Sequence, residues 1–295
     1  MSPVPARRSE SGFAIILALW AVGVVGLVGM GYVAAARARV TAAAAMSEHA
    51  RLLLLAEGAA MRAAAGLVSD LASGRFDPSR RALDGTPRAC AADAGVTALI
   101  AIEDEAGKVN LNLSPPAMLA AALRVAGADE DAAAAILSGV LSARERAAAV
   151  RTARVSVRAD GGRREERRSA STLRAFASAY EIGFFAPGDE RLSAALLPLV
   201  TAHSNRPGID RSVASPDLVA GLGGDSLPAE WLSPSERQSF TIRAAVASAR
   251  AVARVDIVAA IALPPAAPLR IVEWRRDPLP PPATGWPSPA GLPPC

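Results

Sequence analysis

The chain has 295 residues, enough for one large domain or two small ones plus an anchor. Apolar residues make up 51% and aromatics only 4%; much of the apolar share is alanine, so any core is built from small side chains. The formal charge is +4, from one lysine (Lys108) and arginines scattered among 28 acids, a field too weak to mark a nucleic-acid binder.

In chain order, a short basic segment, MSPVPARRSESG, runs into FAIILALWAVGVVGLVGMGYVAAA (residues 13–36), 24 residues without a charge. About 20 apolar residues cross a hydrocarbon core, so 13–36 is long enough to be a transmembrane helix. Secretory signal cores are shorter, about 7–15 residues, which disfavours a cleaved secretory signal even though Ala34-Ala35-Ala36 passes for its cleavage site. Arg7 and Arg8 before the span and Arg37 and Arg39 after it leave its orientation open. Gly12 stands at the junction of polar leader and apolar helix, with Phe13 directly after it. That junction resembles a type IV prepilin leader, which implies a leader peptide over 1–12, cleavage after Gly12 by a prepilin peptidase and N-methylation of Phe13. A plain membrane anchor with an incidental glycine is the alternative. Residues 37–73 continue the helix as a stem without proline, and Leu52, Leu55, Ala59, Ala63 and Leu67 recur at three- and four-residue steps. Glu48 and Arg51 pair on another face, and Ser73-Gly74 ends the helix. Residues 13–73 would make roughly 90 Å of rod. Gly23, Gly26 and Gly29 give either a thin side for a second helix or a membrane helix that tolerates glycine.

Residues 75–94 read as a linker. Residues 96–102, 104–107 and 108–112 read as strand, turn and strand. Ser114-Pro115-Pro116 starts a helix with Ser114 as N-cap, running to Val125 and ending at Gly127. Asp129, Glu130 and Asp131 suit the start of the next helix, expected to continue toward Val150. The stretch VNLNLSPPAML (109–119) is echoed by IDRSVASPDLV (209–219), with Asn110 matched to Asp210. Another helix is expected near 189–201, and strands over 240–248, 252–263 and 269–274. The tail, 277–295, has eight prolines in 19 residues and is expected to be disordered.

Several of these segments resemble one family. DEAGKVNLNLSPPAMLAAAL, FASAYEIG (with Phe176, Ser178, Glu181 and Ile182), the degraded second copy at 209–218, and FTIRAAVASARAVARVDIVAAI followed by PLRIVEWRR are similar, in order, to motifs of the K-type minor pseudopilins (general secretion pathway protein K) of type II secretion systems. These proteins lack the usual glutamate at the fifth mature position, and counting from Phe13 that position is Leu17; the start GFAIILALWAVGVV, with Trp20, also resembles theirs. The family's Trp-Arg-Asp segment has no counterpart near residues 136–140. The resemblance implies an α+β fold: a long N-terminal transmembrane and stem helix, then a pilin-like periplasmic domain over about 95–276 with a large inserted helical (SAM-like) domain at about 113–230. It implies a non-catalytic subunit in the cell inner membrane that caps or initiates the periplasmic pseudopilus at its tip. The partners implied are the I- and J-type minor pseudopilins, the major pseudopilin and prepilin peptidase, with no nucleic acid. Calcium is a cofactor of some family members, and the resemblance names no ligand for it here.

Rival readings are weaker. There is no HExxH, GxSxG, P-loop or GxGxxG before a helix, and His49 and His203 are isolated, so no enzyme is expected. The cluster Arg163-Arg164-Glu165-Glu166-Arg167-Arg168 is interrupted by acids and reads as a solvated loop rather than a DNA contact. The acidic groups at Glu103-Asp104-Glu105, Asp129-Glu130-Asp131 and Asp189-Glu190 have no EF-hand spacing. Cys90 and Cys295 form no CxxC motif; a disulfide between them and two free thiols both stay open. The alternative function is a single-pass, membrane-anchored periplasmic helical-hairpin binding protein outside any pilus system.

Overall fold

The computed structural model describes residues 11–77, 81–156, 174–262, 269–276, 292–293 and 295. Residues 1–10 of the leader, the arginine cluster at 163–168 and most of the proline-rich tail lie outside these. The chain divides into two compact units, Met1–Arg51 and Leu52–Cys295. Helix α1 (Ser11–Ala72) is unbroken over 62 residues, since no proline or strong breaker interrupts it. It stops at Gly74, whose φ of +63° suits a residue without a Cβ. There Gly74 N–H donates to Leu71 O (3.3 Å) and Arg75 N–H to Asp70 O (3.1 Å), the paired bonds that satisfy a helix's last carbonyls. In the first unit the side chains of residues 13–47 are all exposed. By length and composition α1 can cross a membrane, and it is the one such helix among the described residues.

The second unit is α+β. Its strands are β1 (Arg88–Asp93), β2 (Val96–Asp104), β3 (Val109–Asn110), β4 (Val200–Thr201), β5 (Ser239–Ala247), β6 (Val252–Ile261) and β7 (Leu269–Arg276). Five of them form an antiparallel sheet in the order β1-β2-β5-β6-β7, and β3 and β4 pair separately and in parallel. The C-terminal part of α1 covers one face of this sheet. Leu52, Ala56, Ala59, Ala60, Ala64 and Leu67 are fully buried there, against Ala98, Phe240, Ile242, Ala244, Val246, Val255 and Ile257. These sheet residues alternate along their strands, as one face of a pleated sheet requires. The helix stripe is turned slightly from the expected one: Ala56, Ala60 and Ala64 hold its centre, and Leu55 and Ala63 flank it half-buried.

β2 and β5 are neighbours, with Asp104 opposite Phe240. Everything between them is therefore one excursion that leaves and rejoins the sheet at a single seam. It carries α2 (Pro116–Val125), α3 (Glu130–Ser156), α4 (Glu190–Leu196) and α5 (Pro216–Gly221). Leu111, Met118, Ile136, Val140, Phe176, Ile182, Leu196, Ile209 and Leu218 give it a core of its own.

Four local expectations need correcting. β1 lies inside the supposed linker 75–94: Arg-Ala-Cys-Ala-Ala-Asp has little strand propensity, and pairing with β2 is what makes it a strand. The 96–112 segment is not a hairpin, because Glu105–Gly107 forms a 3-10 turn after which Val109 and Asn110 pair with Val200 and Thr201. Ser114 does not cap α2; Pro115 takes the N-cap position, and Ser114 Oγ instead accepts the Asn110 N–H at 2.8 Å. Of the tail, the described residues Pro293 and Cys295 are tied to β1: Cys295 is disulfide-bonded to Cys90, and Ala91 exchanges backbone hydrogen bonds with both.

Candidate functional site

The acids at the end of β2 are committed to the seam between sheet and insert. Lys108, the chain's sole lysine, is buried and places Nζ 2.6 Å from both Glu103 Oε2 and Glu105 Oε1. Thr241 Oγ1 donates to Glu105 Oε1 at 2.6 Å, and Thr201 Oγ1 donates to Glu105 Oε2. Glu103 also pairs with Arg243. Asp104 accepts the Ala106 N–H (2.9 Å) and the Ser235 hydroxyl (2.5 Å). Burial alone would push Glu105 up, but the Lys108 ammonium and the two threonine hydroxyls outweigh it and hold the carboxyl below its usual range. Burial would likewise lower Lys108; Glu103 and Glu105 reverse that and raise it.

The same face of the sheet continues the charge pattern. Arg243, Asp256 and Arg275 stand directly opposite one another across β5, β6 and β7, so charge alternates along the row. Tyr180, from the insert, donates to Asp256 Oδ2 at 3.3 Å, and Arg275 lies 3.7 Å over the Tyr180 ring. Ser178 Oγ donates to Glu273 Oε1 (2.9 Å), and His203 Nε2 lies 3.3 Å from Glu273 Oε2. Burial would raise Glu273, but its bonds from His203, Arg275 and Ser178 lower it to about 2. The cavity left among these groups is about 30 Å³, room for one water.

Chemically this arrangement clamps two layers together. Serine, glutamate and histidine do meet, but the carboxylate sits between the other two. A hydrolase needs its histidine between nucleophile and acid. Among the described residues no three His, Cys, Asp or Glu side chains gather as a metal would require. Buried pairs of this kind contribute little net stability, yet losing one partner is costly.

The sequence echo is a structural repeat. Asn110 Oδ1 accepts the N–H groups of Asn112 (2.8 Å) and Leu113 (3.1 Å); Asp210 Oδ1 accepts that of Ser212 (2.8 Å). In each copy the turn feeds a proline-led helix. Asn112 also grips Phe176 through both backbone groups, at 2.9 and 3.0 Å. Two residues on, Ser178 and Glu181 form a reciprocal capping box on the turn Ala179–Phe185, and Phe176 and Ile182 are buried. One residue that sequence reasoning missed is Arg144, on α3. Its guanidinium donates to Leu111 O (2.6 Å), Ser114 O (2.8 Å) and Asn110 O (3.1 Å). The available signal was its spacing: Ile136, Val140 and Arg144 share one helix face, so an arginine continues an apolar stripe. Arg144→Leu is expected to cost about 3 kcal/mol in urea unfolding. Arg144→Lys should not restore it, because one ammonium lacks the planar fork that meets three carbonyls.

Gly12 and Phe13 lie far along the sequence from this seam, in the first turns of α1, with Phe13 73% exposed. No protein-family model matches the chain, and no curated protein does. Among solved structures it is similar to one chain of the GspK-GspI-GspJ complex from the enterotoxigenic Escherichia coli type 2 secretion system. The identity is 12%, over 78% of this chain and 97% of the other, with a TM-score of 0.49.

Proposed function

We propose that this chain is a non-catalytic minor pseudopilin of a type II secretion system, anchored in the inner membrane by α1 with the unit Leu52–Cys295 in the periplasm. The observation that carries this reading is α1 itself. One unbroken helix supplies an exposed apolar segment and, further along, the helix on which the sheet is built. The prepilin-like junction at Gly12 and Phe13 supports it, as does the ordered series of pseudopilin-like motifs. The Cys90–Cys295 disulfide suits an oxidising compartment.

A tip position follows from Leu17. In a filament interior each subunit offers an acid to one neighbour and has its own terminal amine met by another. Leu17 offers none, so this subunit suits an end, with its amine met by a glutamate-bearing pseudopilin. The I- and J-type minor pseudopilins are the proposed neighbours and the major pseudopilin the shaft. Calcium binding remains a proposal without assigned ligands.

The test is the chain purified from membranes of cells that contain prepilin peptidase. It should begin at N-methylated Phe13 and bring other minor pseudopilins with it. Gly12→Val should retain Met1, because a β-branched side chain crowds the scissile backbone. Met1 on the unaltered protein, or recovery without any pilin-like partner, favours the anchored binding protein instead.

A further inference from the structure

We propose that the C-terminal residues form a redox-released cover over the outer edge of β1. This goes beyond the pseudopilin reading and does not depend on it. β1 is an outermost strand of the sheet, so the backbone groups it turns away from β2 need a partner or a guard. Ala91 has such a partner: its N–H donates to Pro293 O at 2.8 Å, and its C=O accepts from Cys295 N–H at 3.1 Å. Pro293 and Cys295 thus satisfy both backbone groups of Ala91.

The two edges of the sheet are guarded differently. β7, at the far edge, carries charge at Arg270, Glu273, Arg275 and Arg276 within eight residues. β1 has charge only at its ends, and its centre, Ala-Cys-Ala-Ala, presents nothing that would repel an incoming strand. The covering segment therefore does there what charged side chains do on β7.

A covalent bond holds the cover. Cys90 is buried, 8% exposed, whereas Cys295 is half-buried, so Cys295 is the less protected partner. A thiolate of an external dithiol attacks Cys295 Sγ, the S–S bond breaks, and Cys90 leaves as a thiolate and takes up a proton. The second thiol of the reagent then attacks its own sulfur in the mixed disulfide. Cys295 is released as a thiol and the reagent departs as a disulfide, so two electrons have passed to the protein. Cys90 remains as a small apolar side chain in the core. The two hydrogen bonds at Ala91 no longer suffice alone to hold Pro293 and Cys295, and Ala91 loses its cover.

Hydrogen exchange on the full chain in detergent tests this, with and without dithiothreitol. Reduction should bring the Ala91 amide close to the exchange rate of an exposed one while β5 and β6 stay protected, and reoxidation should reverse it. Cys295→Ser should show the reduced pattern without reagent. Unchanged protection at Ala91 in either case would mean that the hydrogen bonds alone hold the segment, and the proposal fails. Loss of protection in β5 and β6 together with Ala91 would make the disulfide a staple of the whole domain, and the proposal fails equally.

Discussion

Lys108→Met is expected to destabilise the unit Leu52–Cys295 by about 3–5 kcal/mol, the usual cost of removing one partner from a buried ion pair. The effect should lie at the upper end of that range, because one ammonium serves two buried acids at 2.6 Å. Arg243 still faces Glu103 in the variant, so Glu105 is the group left without a cation. The variant should also invert the acid response. In the unaltered protein Glu105 is held below its ordinary value, so its contribution is complete above the carboxylate range and fades as pH falls through the lowered value. Without Lys108 burial dominates and the Glu105 carboxyl rises above its ordinary value. The deficit against the unaltered protein should then be largest near neutral pH and shrink as acid protonates Glu105. Urea unfolding midpoints at neutral and mildly acidic pH, measured on both proteins, decide this. A deficit independent of pH would show that lost packing of the lysine stem outweighs the unpaired charge. Adding Glu105→Gln to the variant should recover part of the loss, since the two sites are coupled and their separate costs do not add.

How much of this was legible in the sequence depended on how local the partners are. The Ser178 and Glu181 capping box and the Asn110 and Asp210 turns join residues only two or three apart in the chain. The Glu48–Arg51 pair was legible for the same reason and forms at 3.5 Å. Glu103-Asp104-Glu105 read only as an acidic group without EF-hand spacing; that it is buried follows from partners far along the chain, Thr201 and Thr241 on Glu105. Arg144 was hidden because its acceptors lie 30 to 34 residues earlier. The cysteine pair spans 205 residues, and no spacing rule reaches that far. β1 was the hardest element: an alanine-rich segment carries no two-residue alternation, and its strand character comes from β2 on one side and the C-terminal segment on the other.

The position of the stem helix gives the second large effect. A fragment spanning 95–276, the periplasmic domain expected from sequence, is predicted to aggregate, and one spanning Leu52–Cys295 to be soluble and cooperatively folded. The shorter fragment lacks Leu52, Ala56, Ala59, Ala60, Ala64 and Leu67, all of which are fully buried on the sheet. Burial of two leucines and four alanine methyls is worth about 6–9 kcal/mol, comparable with the whole stability of a typical domain, about 5–15 kcal/mol. The loss also uncovers the matching face of the sheet, with Phe240, Ile242, Val246, Val255 and Ile257 brought to water. β1 and its disulfide are missing too, so the β2 edge stands open beside that apolar face. An exposed edge next to an exposed apolar face is the combination that drives strand addition between molecules. The helical insert has its own core and should keep its helices, so far-ultraviolet dichroism will not separate the two fragments well. Size-exclusion profiles and binding of a hydrophobic dye will. A monomeric 95–276 fragment with a sharp urea transition would show that the sheet stands without α1, and the stem would then be a tether and not part of the core.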